Sequence, residues 1–176
     1  IRDAADKYLA GSIKVPVLKI SDYNTTGLRG VKEETGSNWT GLVRERSATI
    51  YITEGEGIFN SAHAKDIPLK AGDLFLLFPG EWHTYHPTGK NGWKSYWIGF
   101  KGKNVDDRVK AGFLSLDKPI YHVGFSADII RLYEEAYKRA QEETPYSQQI
   151  LAGIVNHLVG LMYALERSME LSKDHT

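Results

Sequence analysis

The chain contains no cysteine. That absence excludes a disulfide framework, a thiolate-bound metal and a cysteine nucleophile together, and it fits a reducing compartment. An excess of either charge sign is missing too, because 22 Lys and Arg face 22 Asp and Glu. Binding to a phosphate backbone draws on a basic surplus, so any contact with DNA is expected from another segment. No stretch reads as a membrane span, and the start, Ile1-Arg-Asp-Ala-Ala-Asp6, lacks the charged-then-apolar form of a secretion signal. A cytoplasmic protein without a membrane partner is the expectation. The first residue is not methionine, which suggests a fragment or a trimmed chain. What the sequence has in quantity is aromatic side chains, with 10 Tyr, 6 Phe and 4 Trp among 176 residues. That length and a hydrophobic share of 41% suit one globular domain with a substantial core.

Turn punctuation and period-two patterning run through roughly the first 120 residues, and helical periodicity through the last 50 or so. Strands are expected at Val15 to Ile20, Ala48 to Thr53, Gly57 to Asn60, Leu74 to Phe78, Trp82 to His86 and Trp93 to Phe100. The turns lie at Gly55-Glu-Gly57, Lys70-Ala-Gly-Asp73, Pro79-Gly80 and Thr88-Gly-Lys-Asn-Gly92. Short strands at this spacing predict a sandwich or barrel, so the fold class is mainly β, with two C-terminal helices.

The first helix is expected from Ser126, a good N-cap, with an apolar stripe of Ile129, Ile130, Leu132, Tyr133, Ala136 and Tyr137. A second, longer helix follows Pro145, where Ile150, Ile154, Leu158, Leu161, Leu165 and Met169 recur at steps of three and four. Leu151, Val155, Val159 and Met162 widen that stripe, and Gly153, His157, Gly160 and Ala164 form a neighbouring line of mostly small residues. Each glycine in a helix interior costs about 1 kcal/mol relative to alanine, which points to close approach of another backbone. A homodimer is therefore expected through Ile150, Gly153, Ile154, His157, Leu158, Gly160, Leu161, Ala164 and Leu165.

Strand alternation puts His83 and Tyr85 on one face of their strand, and Trp93, Ser95 and Trp97 on one face of theirs. If both faces look inward, they make one wall of a ligand cup with two indoles, an imidazole, a phenol and a hydroxyl. Such a set suits a sugar: aromatic faces cover the C–H side of the ring while fixed polar groups meet its hydroxyls. One of Arg44 and Arg46, which precede the strand ending at Glu54-Gly-Glu-Gly57, is expected to enter the cup as a guanidinium.

Three segments, Tyr51-Ile-Thr-Glu-Gly-Glu-Gly57, Leu69 to Tyr85 and Trp93 to Gly102, together resemble the cupin-type sensor domain of AraC-family transcription regulators. The resemblance covers roughly residues 15 to 170. It implies a jelly-roll barrel that binds a small effector, often a sugar, followed by dimerising helices; a separate helix-turn-helix domain, absent from this chain, reads the DNA. Residues 1–124 then form the barrel with an N-terminal arm (loosely residues 1–24), and 125–172 the helical dimerisation segment. Carried over by position, sugar contacts fall on Tyr85 and Trp97, while a family histidine is replaced by Ser95.

Catalysis is disfavoured by the same residues. Metal-dependent cupins use three His and a Glu from two motifs, and here the stretch Trp39 to Gly57 holds no His. No metal and no cofactor is expected, and no catalytic residue is assigned. The alternatives are a metal-independent cupin isomerase or epimerase using His83 and Tyr85 as acid and base, and a plain carbohydrate-binding module, for which the helical tail has no role.

Overall fold

The computed structural model describes residues 47–142 and 144–174. The expected strand at Val15 to Ile20, the arm at residues 1–24 and Arg44 lie outside the described residues. In chain order the elements are β1 (Ser47–Glu54), β2 (Glu56–Ser61), β3 (Ile67–Lys70), β4 (Asp73–Leu77), β5 (His83–Pro87), β6 (Lys94–Phe100), α1 (Lys103–Lys110), β7 (Ile120–His122), α2 (Ala127–Glu142) and α3 (Ser147–Asp174). They form two antiparallel sheets, β6-β1-β4-β7 and β3-β2-β5, followed by the helices. This is a cupin jelly-roll barrel with a helical tail. Helix nonetheless holds more of the described residues than strand, 41% against 31%, because α3 alone is 28 residues long.

The larger sheet is buried on both faces, as its apolar strands require. Along β1 the period of two sends Ala48, Ile50 and Ile52 into an inner cluster between the sheets, with Phe59, Leu69, Phe75, Leu77 and Trp93. Tyr51 goes the other way, into an outer cluster with Leu74, Leu76, Ile98 and Phe100 that α2 and α3 cover. Hydroxyls tie the two layers together. The Tyr51 hydroxyl donates to the Gly124 carbonyl at 2.8 Å and accepts the Ser126 N–H at 2.9 Å, fixing the start of α2 to the sheet. Ser126 caps that helix as its sequence predicts, its Oγ accepting the Ile129 N–H at 3.3 Å. One turn further on, Tyr133 donates to Thr49 Oγ1 at 2.9 Å within the buried layer, and burial pushes its phenol pKa well up.

Helix α3 is long and apolar enough, by length and composition, to cross a membrane, contrary to the expectation from the sequence. Its apolar face is occupied within the domain, where Leu151, Val155, Leu158, Val159 and Met162 are buried in the outer cluster. Near its end Glu166 is buried and ion-paired with Lys118 at 2.6 Å, and the Lys118 ammonium lies 5.3 Å from the Tyr121 ring centroid. Those contacts pin the segment before β7 onto the helix.

Candidate functional site

The inner cluster is where aromatic and polar groups meet. In β5 His83 and Tyr85 are half-buried while Thr84 and His86 are exposed, so the alternation read from the sequence is the one adopted. Three rings form a ladder: His83 lies 6.3 Å from Tyr85 with an interplanar angle of 15°, and Tyr85 lies 6.1 Å from Trp93 at 22°. Phe75 of the opposite sheet meets Tyr85 edge-on at 5.2 Å. Edge-on and offset stacked contacts are the favoured aromatic geometries, so the ladder is held by packing as well as by its strand.

Glycines seat both indoles. A Cβ on Gly57 would collide with the Trp93 ring and the His86 carbonyl, and one on Gly99 would stand 2.8 Å from the Trp97 ring. Gly55, at φ 90° beside Gly92 and Trp93, completes the seat for the first. The Gly-Glu-Gly turn is therefore both a strand connection and the floor under Trp93. Trp97 lies half-buried against the inner cluster, and Ser95 shares its face of β6, opposite Ile52.

The sequence placed His83, Tyr85, Ser95 and Trp97 on one wall, and the sheets correct this. His83 and Tyr85 belong to the three-stranded sheet and Ser95 and Trp97 to the four-stranded one, so they face the interior from two sides. Period-two alternation fixes a face within each strand but carries no information on which sheet the strand joins. Phe59, Phe75 and Ser61 also line this region and were not singled out: in β4 all five residues are buried and alternation distinguishes no face for Phe75, while Ser61 falls beyond the strand expected at Gly57 to Asn60, and the clear alternation of β2 would have placed Phe59 inside.

The His83 imidazole is held by its own chain. Its Nδ1 lies 2.9 Å from the Glu81 carbonyl oxygen, and burial holds its pKa below the ordinary histidine value, with Glu81 partly opposing that shift. Next to it is a small cavity of about 10 Å³, lined in part by Phe59, Ser61, Glu81 and His83, with room for about one water molecule. Among the described residues no three His, Asp or Glu side chains converge to hold a metal ion.

The expected dimer set divides on α3. Ile154 and Leu158 are 8% and 1% exposed in this chain's own outer cluster, which corrects their assignment: their side chains are already committed to the core. Ile150, Gly153, His157, Gly160 and Ala164 are exposed, and Leu161 and Leu165 half-buried. A Cβ added at Gly153 or Gly160 would meet nothing within 4 Å among the described residues, so neither glycine is required by packing against them.

A two-sheet barrel with an aromatic, polar-tipped interior and helices over one outer face defines a small-molecule-binding domain of the cupin type. The chain belongs to the family of AraC-like ligand binding domains, whose model matches residues 46–170. It is 32% identical over 132 residues to the lactose operon transcription activator of Staphylococcus xylosus, covering 74% of this chain and 45% of that protein. It is also 32% identical over 96 residues to the raffinose operon transcriptional regulatory protein RafR of Pediococcus pentosaceus, covering 52% and 35%. The chain thus spans less than half the length of these curated relatives. Among solved structures, ToxT from Vibrio cholerae aligns at a TM-score of 0.46 and 13% identity, over 89% of this chain and 57% of that one. The relatives are transcription regulators rather than enzymes, and a ligand-sensing regulatory domain is the function this family membership supports.

Proposed function

We propose that the barrel senses a small sugar and that the chain dimerises through α3, as the regulatory half of an AraC-type transcription regulator. The observation that carries the sugar reading is the ladder of His83, Tyr85 and Trp93 facing Trp97 and Ser95 across the barrel. Flat aromatic faces bury the apolar side of a pyranose, and the imidazole and hydroxyl tips meet its polar rim. The lactose and raffinose operon regulators among its relatives favour the same class of effector. Ser95 and Arg44 belong to this proposed site with Tyr85, Trp97, His83 and Trp93.

The dimer reading rests on the exposed line Ile150, Gly153, His157, Gly160 and Ala164, with Leu161 and Leu165 at its edge. Two glycines that nothing among the described residues demands cost about 1 kcal/mol each, a cost offset if a second copy packs against them. In this reading residues 1–124 form the sensing barrel with its arm, residues 125–172 carry the dimer contact, and a separate helix-turn-helix domain touches DNA in the cytoplasm. Effector then acts by linkage, shifting arm or dimer arrangement by its differential affinity for the two states.

Calorimetry against lactose, raffinose, their monosaccharides and sugar acids tests the cup. Trp97→Ala and Tyr85→Phe are expected to weaken binding, each by about tenfold or more, with the sugar recovered chemically unchanged. Equal affinity in both variants would exclude this site, and a converted sugar would favour an isomerase or epimerase. Sedimentation tests the helix face: a dimer weakened by Gly160→Leu supports it, and a monomer at high concentration excludes it.

A further inference from the structure

Residues 115–119, just before β7, belong to no strand or helix, yet their side chains are held on two sides. Leu116 and Pro119 line the small cavity where β2 and β4 end and β5 begins, and the Pro119 carbonyl accepts the Leu76 N–H at 2.7 Å. Asp117 and Lys118, between them in sequence, are exposed. Asp117 lies 3.0 Å from His63 Nδ1 on the β2–β3 loop, and Lys118 reaches Glu166 of α3 at 2.6 Å. One short segment therefore touches the barrel wall, a loop of the smaller sheet and the long helix.

The two ion pairs differ in strength. The pair of Asp117 with His63 is exposed, and such pairs contribute little. Glu166 is only 7% exposed, and a carboxylate that deep depends on its cation, because losing Lys118 leaves a buried charge uncompensated. Glu170 stands one turn further along α3, where it pairs with Arg167, and Lys118 lies 4.0 Å from it as well. A segment that slides along the helix by one turn, about 5.4 Å, thus meets a second carboxylate. Burial of Glu166 favours the present pairing over that one.

We propose that residues 115–119 are a strap that couples this end of the barrel to α3: displacing Leu116 or Pro119 from inside moves Lys118 along the helix between Glu166 and Glu170. The cavity has room for about one water molecule, so a larger group entering there has to move its wall, and the strap is a part of that wall fastened to a helix. The inference rests on the sensing reading for what does the pushing. It adds the route by which occupancy of the barrel reaches the helix proposed to dimerise, with Lys118 as a positioning residue that touches no effector.

The coupling is tested first without effector, on the 176-residue chain, by amide hydrogen exchange. Leu116→Ala is expected to speed exchange at residues 167–170 by at least about threefold and to leave Leu151 to Ile154 unchanged. Lys118→Met is expected to do the same, and the double variant to add nothing further, because both substitutions cut one route. Unchanged exchange at 167–170 in Leu116→Ala, or additive effects in the double variant, overturns the strap. Glu166→Gln, a mild change that removes the buried charge, is expected to pass Lys118 to Glu170, seen as a shift of the Glu170 carboxyl carbon signal that Lys118→Met abolishes; no shift overturns the second pairing. Lactose is then expected to change exchange at 167–170 in the wild type but not in Lys118→Met, with affinities equal within about twofold. Lactose that binds without that change overturns the coupling, whereas lactose that does not bind counts against the sugar reading, and the variants decide the strap by themselves.

Discussion

The two faces of the larger sheet are built from neighbouring residues and do different work. Leu74 and Phe75 are adjacent in β4, both fully buried, and point in opposite directions: Leu74 into the layer under α2 and α3, Phe75 into the barrel against Tyr85 and Trp93. The helix side is aliphatic in bulk and holds buried hydrogen bonds, such as the Tyr133–Thr49 and Tyr51–Gly124 bonds, while the buried Ser47 Oγ and Gln149 Oε1 have no partner among the described residues. The barrel side is aromatic, and His83, Tyr85, Ser95 and Trp97 are only half-buried there. Sealed hydrogen bonds mark the side that supports the fold. Polar tips on a half-buried aromatic wall mark the side we propose meets ligand.

The largest effect expected from that difference comes from truncating the adjacent pair. Leu74→Ala should cost about 2–5 kcal/mol through its cavity, and Phe75→Ala about 3–5 kcal/mol. Denaturation midpoints should fall in both, but only Phe75→Ala should alter sugar binding in the folded fraction, because Phe75 backs Tyr85 at 5.2 Å and Trp93 at 6.5 Å. A changed sugar preference in Leu74→Ala would break the division between the faces.

Next in size is Gly57→Ala, whose new methyl collides with the Trp93 indole. Overpacking of this kind costs about 1–3 kcal/mol. The near-ultraviolet signal of the indoles should change with it, since the ring has to leave its seat; an unchanged spectrum and midpoint would mean that the floor yields. On the helix side Tyr133→Phe should cost about 1–2 kcal/mol by leaving Thr49 without its donor in a buried layer. Its midpoint should shift with no effect on ligand, which sharpens the contrast with Gly57.

Much of this division is legible in the residues themselves. Strands at 48–53, 74–78, 82–86 and 93–100 fall within a residue or two of β1, β4, β5 and β6, because alternation and Gly-Asp or Pro-Gly turns mark them. Helix α1 was not anticipated, and its sequence explains why: Lys-Asn-Val-Asp-Asp-Arg-Val-Lys buries one side chain, Val105, and has almost no apolar stripe. The short edge strands β3 and β7, of four and three residues, offer too few positions for a period to register. On α3 the stripe was wide enough to allow two orientations, and tertiary packing chose the Leu151, Val155, Val159 and Met162 side with Ile154 and Leu158 beside it. The glycine seats of Trp93 and Trp97 differ in kind. The pairing of Gly57 with Trp93 joins positions 36 residues apart, a contact that no local pattern encodes.

The smallest expected effect is a pH dependence confined to the barrel side. Burial lowers the His83 pKa from its ordinary value of 6.5, against a smaller opposing pull from Glu81. In the unfolded chain the imidazole takes up its proton as pH falls through about 6.5, while in the folded domain it stays neutral until a lower pH. Over that interval the unfolded state binds more protons, so stability declines as pH drops and is unaffected by this group above it. His83→Gln removes the titration, so the difference in denaturation midpoint between wild type and variant should change from about pH 7.5 to about pH 5.5, with the wild type losing more. Taking the difference cancels histidines elsewhere, such as His63 and His122, which remain in both proteins. An identical pH slope in the two proteins would show that the His83 ring is as well solvated folded as unfolded.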